Sequence, residues 1–92
     1  MATHSLHLPQ PLQLLTGNPA QNWKKFKQRW SNYEMATGVA TKGDEMRVAT
    51  LLTIIGDEAV ELYNTFKWTT AGDEVKIAIV LEKFEERGNM HI

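Results

Sequence analysis

From Trp23 to Thr37 the large side chains recur at intervals of three and four residues and never two. On a helix, Trp23, Phe26, Trp30, Tyr33 and Thr37 fall within an arc of roughly 80°. A strand would scatter the same residues over both of its faces. This stripe is the strongest constraint in the chain: it demands a helix, and it demands something apolar for that helix to lie on. The punctuation agrees. Asn18 suits the N-cap, Pro19 the first helical position and Gln21 the third, while Gly38 supplies a stop. A first helix is expected over 18–37.

The same stretch raises a functional question. Lys24, Lys25, Lys27 and Arg29 alternate with three aromatics, and bases stack on aromatics while phosphates seek Lys and Arg. On a helix the two sets separate. If the aromatics face the core they are not available to bases, and most of the cations sit on the wet face or its borders. The formal net charge of −1 also lacks the basic surplus of a dedicated nucleic-acid domain. Lys24, Lys25 and Arg29 remain candidates for a weak, salt-dependent polyanion contact, to RNA or to an acidic partner. A solvated helix face is the preferred reading.

Residues 1–17 read as an extended Pro/Leu-rich arm, because Pro9 and Pro11 remove backbone donors and bias their neighbours away from helix. Leu6, Leu8, Leu12, Leu14 and Leu15 are too many leucines for a solvated tail, so the later arm is expected to lie on the helical core. A second helix is expected over 42–55, with Asp44 and Glu45 at the positive end of its dipole and Val48, Leu51, Leu52 and Ile55 as its stripe. A third, over 57–66, places Ala59, Leu62, Tyr63 and Phe66 at helical spacing after the break at Gly56. Residues 73–87 are ambiguous: Val75, Ile77, Ile79 and Leu81 alternate as a strand would, yet Ile77, Leu81 and Phe84 form a helical stripe. A lone strand would have no partner, so a helix is expected. It leaves a second apolar patch, Val75 and Ile79, for contact with another chain. Gly88 is expected to end this helix, with a flexible tail at 88–92.

The expected architecture is all-α, a bundle of four to five helices in a lobe over 18–87. Its core is Trp23, Phe26, Trp30, Tyr33, Val48, Leu51, Leu52, Ile55, Leu62, Tyr63, Phe66, Leu81 and Phe84. Ninety-two residues with 42% hydrophobic content suffice for one such domain. Three tryptophans in so short a chain point to a real core.

Convergent reactive groups are not found. The absence of cysteine excludes disulfides, a thiol nucleophile and Cys-containing zinc sites. His4, His7 and His91 fall in the expected tails, where ordinary polar residues are the preferred reading over metal ligands. Asp57, Glu58 and Glu61 read as helix-start acids and a solvated face rather than paired catalytic carboxylates. No enzyme, cofactor or metal is expected. No apolar run approaches a bilayer span and no signal peptide is evident. The expectation is a soluble intracellular protein, cytoplasmic or also nuclear.

Taken in order, the residues suggest something more specific. The run "PLQLLTGNPAQNWKKFKQRWSNYEMATG" resembles the start of the capsid region of Gag from gypsy-class long-terminal-repeat retrotransposons. That pattern has a Pro/Leu-rich lead, a "GN" helix start, "W..F...W..Y" in the first helix and a small-residue turn. "KGDEMRVATLLTIIGDEAVELYNTF" resembles the family's second and third helices, and "VLEKFEER" its fourth. The resemblance spans residues 9–87. It is shared with domesticated relatives such as the neuronal Arc protein and the paraneoplastic antigens.

The resemblance implies an all-α N-terminal capsid lobe that makes protein–protein contacts during shell assembly. In the family a C-terminal dimerising lobe follows, often with an RNA-binding zinc knuckle. This chain has no cysteine for a knuckle, and "EERGNMHI" departs from the family's continuation, so it is expected to be an excised lobe or a host protein that kept one lobe. The expected partner is a second copy or a related Gag chain, with Val75, Ile79, Leu8 and Leu12 as candidate contacts. The alternative is a domesticated regulatory module that binds an apolar peptide in a groove near the arm, or interferes with related Gag assembly.

Overall fold

Helix α1, Pro19–Thr37, is the longest element and the one on which the others are assembled. Its first turn is closed by Asn18, whose side chain accepts a hydrogen bond from the Gln21 amide at 3.1 Å. At its far end Gly38 adopts φ +82°, and its N–H reaches back to the Met35 carbonyl, a left-handed exit that a side chain would strain. The computed structural model describes residues 11–13 and 17–89. Within them the chain is all-α, with four α-helices, two short 3-10 turns and no strand. After α1 come a 3-10 turn at Val39–Thr41, α2 (Asp44–Ile54), α3 (Asp57–Tyr63), a second 3-10 turn at Asp73–Val75 and α4 (Ile77–Asn89).

α1 packs chiefly on α4. Trp23 stacks on Phe84 with ring centroids 5.9 Å apart, and Phe66 also meets Phe84, edge-to-face at 5.0 Å. α2 closes the core from the remaining side with Val48, Leu51, Ile54 and Ile55. Trp23, Phe26 and Trp30 are all buried, so the aromatic stripe points inward. Tyr33, Leu52, Leu62, Tyr63, Phe66 and Leu81 pack at the edge of the core, half-buried.

Several local expectations need correction. Residues 73–87 do not form one helix. Asp73 accepts a hydrogen bond from the Thr70 amide and an ion pair from Lys76, Lys76 takes an extended conformation, and the α-helix begins only at Ile77. Gly88 does not end α4; the helix runs through it to Asn89. A Cβ on Gly88 would lie 3.0 Å from the Cβ of Trp23, so this glycine marks a close approach of α4 to α1. α3 is three residues shorter than expected, because after Tyr63 the amides of Thr65 and Phe66 turn to the Leu62 and Tyr63 carbonyls.

The core also contains residues that the sequence reading did not place there. Val80 is fully buried, and Ile77, Ile54 and Ala59 are buried with it. Leu12 is buried too, as expected for the later arm lying on the core. One polar pair lies at its border: the Arg47 guanidinium donates to both carboxylate oxygens of buried Glu34, at 2.6 and 2.9 Å, and ties α2 to the end of α1. That hydrogen bonding holds the Arg47 pKa above its ordinary value.

Candidate functional site

Residues 11–13 of the arm lie on the helices and put one side chain, Leu12, into the core. Leu12 is only 2% exposed, and its N–H donates to the Ile55 carbonyl at 2.8 Å. Ile55 is the C-cap of α2, where the carbonyls have run out of helical donors, so the arm supplies one. Pro11 rests on Gly56, which has φ +100° and whose added Cβ would come within 2.7 Å of the Pro11 Cβ. On the other side, the Asn22 side-chain amide donates to the Gln13 carbonyl at 2.9 Å. This overturns Leu12 as a candidate contact with another chain: its side chain is already spent in the core of its own lobe. Leu8, like His4, His7 and His91, lies outside the described residues.

Docking of the arm shapes a cleft of about 420 Å³ against α1, lined by Pro11, Leu12, Gln13, Asn22, Lys25, Phe26 and Arg29. Lys25 and Arg29 stand one turn apart on α1, both exposed and without an ion pair among the described residues. The third cation proposed for a polyanion, Lys24, is not with them. It lines a different cleft on the α4 side of α1, together with Lys27, Trp23 and Glu85. Lys27 is paired there, its ammonium 2.9 Å from the Glu85 carboxylate. The hydrogen bonds from Lys27, and then from the Trp23 indole, hold the Glu85 pKa below the usual carboxylate value. The basic stretch of the sequence is therefore two surfaces back to back along one helix. The arm-side surface has, beside a hollow, two cations without an ion pair among the described residues.

Val75 and Ile79 are half-buried, the first in the 3-10 turn and the second on α4. Asp57 and Glu61 are exposed and Glu58 is half-buried, at the start of α3. Among the described residues no group of three or more His, Cys, Asp or Glu is placed to hold a metal ion. No helix among them is long and apolar enough to cross a membrane. Among the described residues, the most exposed large apolar side chains are Met35 and Met46, at 77% and 55%, flanking the turn between α1 and α2. The sequence reading missed these two. Their signal was present, since both sit off the buried stripes of their helices, but methionine spacing alone does not separate surface from core.

No protein-family profile, curated protein or solved structure matches this chain.

Proposed function

We propose that this chain is a protein–protein association module of the Gag capsid type, similar to the N-terminal lobe of gypsy-class retrotransposon Gag, and that it works by binding further copies of itself. The observation that carries the proposal is where the resembling residues lie. Leu12 of the Pro/Leu lead, Trp23, Phe26 and Trp30 of the first-helix pattern, and Ala59 of the third are buried together, while Asn18 of the "GN" start caps α1. Residues that match a family at positions the fold depends on support kinship of fold more strongly than the same number scattered on a surface. Function follows from the family's use of such a lobe, and the half-buried pair Val75 and Ile79 offers apolar surface for it.

Light scattering on the chain at about a hundred micromolar tests this, since association is a mass-action property. A mass above that of one chain is expected, and Ile79→Asp tests whether the Val75 and Ile79 patch carries it. A strict monomer, unchanged by Ile79→Asp, would end the proposal.

The groove alternative gains no support from the arm. Removing residues 1–15 withdraws Leu12 from the core, so loss of stability is expected in place of an opened, peptide-ready groove.

A further inference from the structure

Residues 11–13 of the arm lie beside two charged pairs of opposite sign. On one side lie Lys25 and Arg29, one turn apart on α1, in the cleft that Pro11 helps to line. On the other side Pro11 sits on Gly56, and the chain passes directly into Asp57 and Glu61, one turn apart on α3. All four charged residues are exposed, and none of them forms an ion pair among the described residues. Residues four apart on a helix project on the same face at similar separation, so the basic pair and the acidic pair match in spacing as well as in sign.

We infer that two copies of this chain associate about a two-fold axis passing over the arm, with Lys25 and Arg29 of each copy facing Asp57 and Glu61 of the other. The inference rests on the self-association reading above and names its surface. Two adjacent patches of opposite charge are self-complementary under two-fold rotation, which brings each onto its counterpart twice. The exposed part of the arm, Pro11 and Gln13, then lies at the centre of the contact. An exposed ion pair is weak alone, and the rotation repeats each one. The contact is accordingly salt-sensitive and modest in affinity, and gains strength only where many copies are joined.

A polyanion is the rival occupant of the basic cleft. It is disfavoured because Trp23, Phe26 and Trp30 are buried and offer no ring on which bases can stack.

Sedimentation of the full chain decides the matter. Between about 50 and 500 mM salt, the dimer dissociation constant should rise at least tenfold. Lys25→Glu with Arg29→Glu should leave a folded monomer by circular dichroism, and so should Asp57→Lys with Glu61→Lys. Mixing these two variants in equal amounts should restore dimers, as should all four changes in one chain.

Dimers that survive both high salt and charge reversal, yet disappear in Ile79→Asp, would overturn this surface and leave self-association standing. Failure of the mixture to restore dimers would also overturn it. A wild-type monomer at low salt would overturn both readings. A wild-type monomer that binds a single-stranded RNA oligonucleotide through Lys25 and Arg29 would assign the cleft to a polyanion.

Discussion

The seam between α1 and α4 and the aromatic group at the end of α3 use the same kinds of side chain to different effect. In the seam, Trp23, Phe26, Val80 and Phe84 are buried to 3% exposure or less, and Gly88 lets the two backbones close on Trp23. At the end of α3, Tyr63, Phe66 and Trp68 contact one another at 5.6 to 6.2 Å between centroids, but all three remain half-buried. The tyrosine hydroxyl is bonded to the Glu74 carbonyl at 2.7 Å, and burial raises its pKa above the ordinary value. Two long helices can hold large rings between them on both sides. A seven-residue helix followed by a loop leaves its rings partly exposed. Aromatic content is therefore a poor guide to where stability lies; the length of the elements that enclose the rings matters more.

Substitutions can break this contrast. Trp23→Ala should cost about 3–5 kcal/mol, the usual loss for a buried aromatic, and against a total of roughly 5–15 kcal/mol it should abolish or nearly abolish the thermal transition. Trp68→Ala should cost less, about 2–3 kcal/mol, since part of its ring stays in contact with water. Equal losses in urea denaturation would erase the distinction between the two regions.

Gly56→Ala sharpens it from a third side, at the corner where the arm meets α3. A Cβ there is strained by φ +100° and collides with Pro11, so a loss of about 1–3 kcal/mol is expected. It should be accompanied by faster amide exchange at Leu12, whose N–H is otherwise held by Ile55.

The smallest effect belongs to the exposed side of α1. Glu85 is held below its ordinary carboxylate pKa in the folded lobe. The stability it contributes is therefore present above the unfolded carboxylate value and is lost as pH falls through the lower, folded one. Lys27→Gln should flatten this acid limb slightly in a pH series of melting temperatures, while Lys24→Ala, with no ion pair among the described residues, should leave it unchanged.

Much of α1 was legible because local rules and tertiary packing agree there. Asn18, Pro19 and Gly38 act locally, and the stripe from Trp23 to Tyr33 has a single period. Over 73–89 they compete. Val75, Ile77 and Ile79 alternate, and the helical stripe has apolar residues on more than one face, so spacing alone allowed Leu81 to be chosen over Val80 for the centre of the core. The choice is made by α1 and α2, which cover Ile77, Val80 and Phe84. Gly88 shows the same limit in another form. A glycine near a helix end signals a stop by local propensity, and only the position of Trp23 turns it into a point of contact.

The candidate surface was legible in composition but not in arrangement. The sequence shows four cations crowded between Lys24 and Arg29. It does not show that Lys27 is neutralised by Glu85, a residue 58 positions away, or that Lys24 and Lys25 line clefts on different sides of α1. By itself the sequence determined an all-helical chain, the inward aromatic stripe and the caps of the first helix, since all of these depend on residues within one or two turns of each other. The Leu12–Ile55 hydrogen bond, the joining of Glu34 to Arg47 and the placing of Lys24 and Lys25 in different clefts were decided only by tertiary structure. Each depends on which distant segment lies alongside, and no local periodicity carries that information.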